Sequence, residues 1–527
     1  MRRAAEEPSA VPKLFPAPVR GWVEDTNLAL ADETAAMVLD NWFPLTETVR
    51  LRGGAAKVAT VGSDPVLSFI PFISGGTTRL FAATEAALFD ISGFDPDTAP
   101  TAEFSGMSSG RWSWLQTSTA AGEFILAFNG TDDGRLYTGS TDTWAAINAA
   151  SSPAITGVAT ADVSHVWSYA SRVWLVEGGT QSAWYLPAVN IAGAATEFFL
   201  GAVFREGGNL LFGFAWSADS GDGPSDRCVF VSETGEVVVY QGSDPESLAS
   251  WGLVGRYSLG GAPIGTSVIR TGGDVLIATD AGLIPMSAVV SRTPEELSLA
   301  ALSRPIWRSW ERAASTRVSG QPYTLARWNI EGMGIVGLPH RAETFVLNLR
   351  TNAWARYTGW DIQALGVYGN AFYFGDSAGS VFRGESGGAD DGQPYTGKLQ
   401  WMPSHLGQPG QTKVMTTARG TFRHLTDFVT KLSTATDYRR EFPTAPSAAV
   451  IDASADGIWD VGSWDVMRWD ISSLSEARTT RRTRWRSINR SGVSFCPQVQ
   501  ITSGGLRRPD VELIALEALS VSGRLDG

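Results

Sequence analysis

The chain has 527 residues and a formal net charge of −12; 43% of its residues are hydrophobic and only 18% are charged. This length predicts two or three domains with an ample core. Its only cysteines, Cys228 and Cys496, lie far apart in the sequence, which excludes a disulfide framework and a CxxC metal site and favours folding in a reducing cytosol. The N-terminus lacks the apolar region of a signal peptide and no 18-residue apolar stretch occurs, so we expect no membrane insertion.

The charge is unevenly distributed. Residues 1–290 contain 15 Lys and Arg against 31 Asp and Glu, a net charge of −16, whereas residues 291–527 contain 27 against 23, a net charge of +4. Tight binding of nucleic acid phosphates requires a basic surface. The acidic part of the chain is therefore not predicted to grip nucleic acid.

The N-terminal region precedes any repeat. Residues 1 to about 35 are rich in Ala, Pro and Glu, and this composition predicts an extended arm, with a flexible terminus as the alternative. An apolar run then turns at Asn41 to Pro44 and continues as a strand over Thr48 to Leu51. We assign residues 1–62 to this arm and to the first strands of a platform domain.

Seven β-hairpins follow. Each consists of a short apolar run, a polar turn and a second apolar run, which is the pattern of an antiparallel pair. The first strands begin near residues 79, 123, 172, 228, 274, 332 and 371, so the spacings run from 39 to 58 and average about 49. Such a period fits four short strands, and four-stranded sheets repeated radially form a β-propeller. We predict a mainly β fold with a propeller of six or seven blades over residues 63–390; a pair of β-sandwiches or a β-solenoid is the alternative.

A short helical insertion interrupts the repeats. Thr293 precedes Pro294 and two acids, which is the pattern of a helix start with a capping box. Pro305 restarts the helix after a short apolar run. The pattern predicts two short helices over residues 293–314.

The C-terminal part begins after a linker rich in Gly, Asp and Ser that follows Gly384. Residues 391–527 are predicted to form a β-rich platform domain, with strands over 398–402, 412–417 and 495–502 and a strand pair around 511–521. Trp459, Trp464 and Trp469 recur at intervals of five, which fits neither a helix face nor a strand face.

No segment of the sequence shows a strong pattern of catalytic or metal-binding residues. We expect structural roles for the four histidines, His165, His340, His405 and His424, because none has metal-ligand spacing. The string Ser140 to Trp144 is two residues shorter than the aspartate box of propeller sialidases and stands alone. Asp219, Asp222 and Asp226 lie on a Gly-rich loop and could bind Ca²⁺, but the spacing differs from an EF-hand, and a solvated loop is the favoured interpretation. We predict no catalytic, cofactor or metal site.

The most concentrated cluster of charged residues in the sequence consists of arginines. Residues 478–490 contain six arginines, and on a single strand Arg482, Arg484 and Arg486 would share one face. Three guanidinium groups could hold carboxylates or phosphates bidentately. The alternatives are a solvated strand face, a subunit or partner contact, and least of all a DNA contact.

Three motifs carry a resemblance to a known family. They are Asp40-Asn41-Trp42-Phe43-Pro44 with Val49 to Gly54, then Ser182 to Pro187 with Ile191 to Ala194, and then Gly242 to Pro245 with Trp251. In this order they resemble the tail-tube, or nozzle, proteins of short-tailed bacteriophages. The resemblance implies a virion tail protein that folds in the host cytoplasm. It also implies that six copies form a ring on a head-to-tail adaptor. This ring would support fibres or spikes and pass genome DNA through its lumen without specific binding.

We therefore expect a structural protein and not an enzyme. Two alternatives belong to other classes. One is a propeller glycosidase or lyase acting on bacterial surface polysaccharide, which would need paired carboxylates at the propeller mouth. The other is a monomeric interaction scaffold, which a native mass measurement would distinguish from a ring.

Overall fold

The computed structural model describes residues 10–24, 32–217, 226–247, 249–425, 427–448 and 479–522. The chain divides into two compact units. Unit 1 consists of residues 1–56, 346–359 and 384–527, and unit 2 of residues 57–345 and 360–383. Unit 1 thus contains the N-terminal segment, the C-terminal third and also residues 346–359, which the repeat pattern did not separate from the hairpins. None of the helices in the described ranges has both the length and the apolar composition of a membrane span.

The chain begins with short strands. They are β1 (Val11–Pro16), β2 (Ala36–Asp40), β3 (Trp42–Pro44), β4 (Val49–Leu51) and β5 (Ala55–Thr60). The first four belong to unit 1, whereas β5 enters unit 2, where it is the edge strand of the last sheet.

Unit 2 is a ring of small antiparallel sheets. The strands of the first two sheets are β6 (Ser68–Ile73), β7 (Thr78–Ala83), β8 (Ala87–Asp90), β9 (Ala102–Ser105), β10 (Ser113–Thr119), β11 (Gly122–Phe128), β12 (Gly134–Thr138) and β13 (Thr143–Ile147). Next in the chain are β14 (Ile155–Thr156), β15 (Val163–Tyr169), β16 (Arg172–Glu177), β17 (Ser182–Tyr185), β18 (Gly193–Ala194), β19 (Thr196–Phe199), β20 (Leu210–Trp216), β21 (Arg227–Ser232), β22 (Glu236–Gly242) and β23 (Trp251–Ser258). The remaining strands are β24 (Pro263–Thr271), β25 (Asp274–Thr279), β26 (Gly282–Pro285), β27 (Thr324–Trp328), β28 (Met333–Gly337), β29 (Glu343–Asn348), β31 (Ala364–Tyr368), β32 (Ala371–Gly375) and β33 (Ser380–Gly384), while β30 (Ala353–Thr358) belongs to unit 1. The last three residues of β29 and the last residue of β33 also fall in unit 1.

These strands confirm the predicted β-propeller. Among the described residues, six separate sheets of three or four strands occur, in the orders β6-β7-β8-β9, β10-β11-β12-β13, β15-β16-β17-β19, β20-β21-β22-β23, β24-β25-β26 and β31-β32-β33-β5. One further group of strands follows the fifth of these sheets: β27 contacts β24 and β31, and β28 and β29 pair beyond it. Each of the seven predicted hairpins corresponds to the second and third strands of one such group. The alternation of apolar runs and turns therefore predicted the repeated sheets, and the six separate sheets lie within the predicted range of six or seven blades.

Apolar side chains fill the spaces between neighbouring blades. Trp167 and Trp174 of the third sheet pack with Phe230 of the fourth, and Phe69 of the first sheet packs with Tyr373 of the last. The last sheet therefore contacts the first, and β5 pairs with it as a fourth strand. This closes the ring and leaves only short edges exposed.

Helices pack against the fifth sheet, which has three strands. They are α1 (Met286–Ser291), α2 (Pro294–Ala300) and α3 (Trp307–Ser315), with a 3-10 turn over Arg304–Ile306. The two predicted helices are present, and α1 was missed because its six residues are too few to show a period. Thr293 occupies the N-cap of α2, but the predicted capping by its side chain is wrong, since that hydroxyl makes no cap hydrogen bond.

Unit 1 is the predicted β-rich platform. Its further strands are β34 (Tyr395–Trp401), β35 (Lys413–His424), β36 (Thr430–Thr436), β37 (Thr479–Arg482), β38 (Arg486–Gly492), β39 (Phe495–Ser503) and β40 (Val511–Ser522). The strand β40 pairs with β35 along its length on one side and with β1 and β4 on the other. The predicted strand pair around 511–521 is wrong, because these residues form one twelve-residue strand. A second sheet contains β2, β34, β39 and β36 in that order.

A buried ionic network joins the three chain segments of unit 1. The Arg52 side chain is fully buried, and its two terminal nitrogens bind Asp390 at 2.9 and 2.7 Å. Its Nε donates to Asn41 Oδ1 at 2.8 Å, and the remaining N–H groups donate to the carbonyl oxygens of Gly53 and Thr358. All five donors of the guanidinium group are thus used. The first motif of the phage resemblance is therefore part of the interior of unit 1.

Candidate partner-binding surface

The arginine cluster lies on the edge of a sheet. We use the term arginine edge for β37, β38 and the connecting residues 483–485. Both strands pair antiparallel with β35, β37 along residues 421–424 and β38 along residues 413–418. In the part of the chain that the structure describes, no other strand pairs with β37 or β38. Within the described ranges, β37 and β38 are thus edge strands of this sheet.

The predicted face shared by Arg482, Arg484 and Arg486 is wrong. Arg482 ends β37 opposite Thr421, whereas Arg486 begins β38 opposite Ala418. Thr421 and Ala418 are three residues apart on β35, so their side chains point to opposite faces. Arg484 lies in the connection between the strands. The strand breaks there because Thr483 pairs with Gly420 partly through its side chain. The Thr483 N–H donates to the Gly420 carbonyl oxygen at 2.8 Å, but the Gly420 N–H donates to the Thr483 hydroxyl at 2.9 Å.

All three predicted arginines are nevertheless exposed, as are Arg481 and Arg490. The arginine edge thus has five positive charges and no carboxylate of its own. The carboxylate of Glu517 on β40 offsets part of this positive charge: it binds Arg419 of β35 at 2.6 Å and lies 4.0 Å from Arg482. Among the described residues, Arg484 and Arg486 have no carboxylate within 4 Å. The edge therefore presents a surplus of guanidinium groups to solvent.

Trp485 adds an aromatic side chain to this surface. It is 39% exposed, and the Arg419 guanidinium group lies 4.5 Å from its ring centroid. Aromatic and arginine side chains are the residue types enriched at the centres of protein interfaces. Arg419 and Trp485 were missed in the sequence because the pairing that brings them together depends on β35, more than sixty residues away.

The aspartates of the Gly-rich loop and the regularly spaced tryptophans fall largely outside the described residues. Asp219 and Asp222 lie outside the described residues, and the Asp226 carbonyl accepts a hydrogen bond from the Tyr169 hydroxyl at 2.8 Å. Trp459, Trp464 and Trp469 also lie outside the described residues. Within the described ranges, no group of three or more His, Cys, Asp or Glu side chains is arranged to hold a metal ion.

The histidine His165 connects three blades. Its Nδ1 lies 3.0 Å from Ser113 Oγ of the second sheet, and its Nε2 lies 3.0 Å from the Gly213 carbonyl oxygen of the fourth. Because a carbonyl only accepts, Nε2 carries the proton in the neutral ring. Burial lowers the pKa of His165 to about 4, although the hydrogen bond to Gly213 acts in the opposite direction. His165 is thus a neutral packing residue of unit 2.

The two cysteines are unpaired and buried. Burial raises the pKa of the Cys228 thiol well above its ordinary value and that of Cys496 to about 12. Both side chains are therefore protonated and unreactive at neutral pH.

The chain matches no known protein family, and no curated protein matches it. Several solved structures share part of its architecture at low similarity. One, named as the extracellular domain of a hybrid two component system from B. thetaiotaomicron, is 13% identical with a TM-score of 0.39 and covers 63% of this chain and 41% of its own. A streptogramin B lyase is 8% identical with a TM-score of 0.39 over 63% of this chain and 97% of the lyase. The extracellular domain of a one component system from B. thetaiotaomicron is 10% identical with a TM-score of 0.40 over 73% of this chain and 44% of its own.

This chain thus spans about two fifths of the length of the two B. thetaiotaomicron domains. At these identities and TM-scores, none of the three proteins informs the function of this chain.

Proposed function

We propose that this protein is a structural subunit of a phage tail nozzle, which assembles through its arginine edge into a closed homo-hexameric ring. The observation that carries the proposal is the arginine edge itself: an exposed edge strand with five arginines, no carboxylate of its own and an exposed tryptophan. The sequence resemblance to nozzle proteins supports the hexamer, the attachment to a head-to-tail adaptor and the support of fibres or spikes.

Charge complementarity supports a contact between copies. The arginine edge is basic, and residues 1–290 have a net charge of −16. A contact between a basic surface of one copy and an acidic surface of the next is heterologous, and such contacts form either a closed ring or an open filament. We propose that the ring closes, because a tail must have one defined stoichiometry.

The proposal is tested by removing the three predicted arginines together. The change Arg482→Ser, Arg484→Ser and Arg486→Ser removes three charges from the edge, and none of these residues is buried. We expect the variant to remain folded and its assembly to weaken at least about tenfold, since charged interface contacts contribute on the order of 1 kcal/mol each. Native mass spectrometry over a range of protein concentrations measures the oligomeric state.

A matched control removes three exposed arginines of unit 2, by Arg256→Ser, Arg292→Ser and Arg308→Ser. This variant has the same net charge as the first, so equal weakening of both would show a general effect of charge and contradict the proposal. A wild-type protein that stays monomeric, even with the adaptor present, would favour the monomeric scaffold.

A further inference from the structure

A polar cavity lies beside the arginine edge within unit 1. Its volume is about 320 Å³. One wall is β36, a second is β38, and the third is the segment 439–443 that follows β36. The lining contains three cations, Lys431, Arg439 and Arg490, but only one carboxylate, that of Glu441. The cavity therefore carries a surplus of positive charge.

The three cations are not neutralised by ion pairs. Among the described residues, no carboxylate lies within 4 Å of Lys431, Arg439 or Arg490, and Glu441 pairs with none of them. The Lys431 ammonium group donates to the Thr444 carbonyl oxygen at 2.7 Å, which leaves two N–H groups for another acceptor. The two guanidinium groups offer several more donors. Cations that line one cavity without ion-pair partners repel each other, and a bound anion would offset this repulsion.

Buried side chains hold the walls in place. The segment 439–448, which we term the strap, crosses the sheet face formed by β34, β39 and β36. Gln400 Nε2 donates to the Arg439 carbonyl oxygen and Gln498 Nε2 to the Glu441 carbonyl oxygen, both at 2.7 Å. Gln400 and Gln498 are at most 1% exposed, and they bind each other at 3.1 Å. The backbone of the strap is thus positioned by residues that have no contact with solvent.

The turn before the strap fixes the position of Arg439. Asp437 and Tyr438 both have a positive φ, of 53° and 67°, which is unfavourable for residues other than glycine. The Asp437 carboxylate compensates by accepting from the Val493 N–H at 3.1 Å, and the Asp437 N–H donates to the Ser494 carbonyl oxygen at 3.2 Å. These bonds tie the strap to the residues just after β38, and so bring Arg439 and Arg490 to the same cavity.

From this geometry we infer that the cavity binds a phosphate-type oxyanion. Guanidinium and ammonium groups from three elements match the several oxygens of a tetrahedral anion. A volume of about 320 Å³ is near the lower end for small-molecule pockets, so it admits either the free anion or a small phosphate monoester. The cavity shares β38 and Arg490 with the arginine edge, but the inference does not depend on the proposed assembly.

Binding is measured by isothermal titration of the full chain with inorganic phosphate, glucose 6-phosphate and glucose, at an ionic strength held constant with NaCl. We expect saturable binding of phosphate at one site per chain and no binding of glucose. Tighter binding of glucose 6-phosphate would identify a phosphate monoester as the ligand, and equal or weaker binding would identify the free anion.

Three variants distinguish the cavity from the general charge of the surface. Arg490→Gln and Lys431→Gln remove cations of the cavity, and we expect each to weaken binding at least about tenfold. Arg484→Gln is the matched control, because it removes the same charge from the arginine edge outside the cavity. Lys431→Gln removes the hydrogen bond to Thr444 and could therefore disturb the strap. Arg490→Gln tests phosphate binding without this effect, since Arg490 is exposed and makes no side-chain hydrogen bond among the described residues.

The inference is overturned by any of three results. These are the absence of saturable phosphate binding below about 10 mM, binding that Arg484→Gln weakens as much as Arg490→Gln does, and binding that survives both cavity variants.

Discussion

At the scale of single residues, the interior of unit 1 depends on Arg52. A buried guanidinium group is costly unless all of its donors are used. Here Asn41, Thr358 and Asp390, from the three chain segments of the unit, supply most of the acceptors. The sequence showed Arg52 only as part of a motif, and its partners more than 300 residues away could not be read from local patterns.

Lysine cannot replace Arg52. It retains the charge but loses the planar fork that binds both Asp390 oxygens. We expect Arg52→Lys to lower the free energy of unfolding by about 3 kcal/mol, because buried acceptors then remain unpaired. Arg20→Lys is the control, since Arg20 pairs with Asp32 at 2.7 Å but its side chain is 66% exposed, and it should change stability by less than about 0.5 kcal/mol. Chemical denaturation followed by tryptophan fluorescence measures both, and equal effects would contradict the role assigned to Arg52.

His165 makes the stability of unit 2 depend on pH. Its pKa is about 4 in the folded protein and 6.5 as an ordinary value, so below pH 6.5 the unfolded chain binds a proton that the folded chain does not. Stability is therefore lost as the pH falls from about 6.5 to about 4, by up to about 3 kcal/mol. We expect His165→Gln to remove this part of the pH dependence and the exposed His340→Gln to retain it. Thermal melts between pH 7 and pH 4 provide the test, and identical profiles for wild type and His165→Gln would count against it.

At the scale of elements, the hairpins were predictable because each pairs residues close in sequence. Runs such as 228–232 and 236–242 carry the apolar pattern and the turn together, and they form β21 and β22. The break between β37 and β38 was not predictable, since it depends on Gly420 of a distant strand. Arg482, Arg484 and Arg486 are therefore exposed but do not share one face, and their role as a contact stays a prediction.

Close packing between blades depends on a small residue at Gly213. A Cβ atom placed there would lie 2.5 Å from Trp167 Cζ2. Trp167 cannot move aside easily, because it stacks on Trp174 at 5.8 Å and is only 4% exposed. We expect Gly213→Ala to destabilise the protein by about 1–3 kcal/mol. The control Gly252→Ala, where a Cβ meets nothing within 4 Å, should be nearly neutral in thermal melts, and a neutral Gly213→Ala would contradict the packing argument.

At the scale of the whole molecule, the sequence indicated a propeller and a platform but not how the chain connects them. The strand β5 completes the last sheet of unit 2 although it precedes all the repeats, and residues 346–359 belong to unit 1 although they lie among the repeats. Both features depend on contacts between segments that are far apart in the sequence. Periodicity reports only on residues that are neighbours in the sequence, so it contains no signal for either feature.

The distribution of charge over the whole chain leads to a prediction about DNA. In the proposed nozzle, DNA passes through the ring without being held, and acidic walls favour this because they repel the phosphate backbone. Residues 1–290 have a net charge of −16, and the positive surplus is concentrated on the arginine edge, which the proposed assembly covers. We therefore expect the assembled protein to bind duplex DNA only weakly at moderate salt, with a dissociation constant above about 10 μM.

Fluorescence anisotropy with a labelled duplex at several salt concentrations measures this affinity. The triple serine variant of the arginine edge serves as the comparison. If unassembled wild-type protein binds DNA through the edge, that binding should disappear in the variant, and it should also disappear on assembly because the edge is then covered. Tight, salt-resistant binding by the assembled ring would show that DNA is gripped, and would be incompatible with a conduit through which the genome slides.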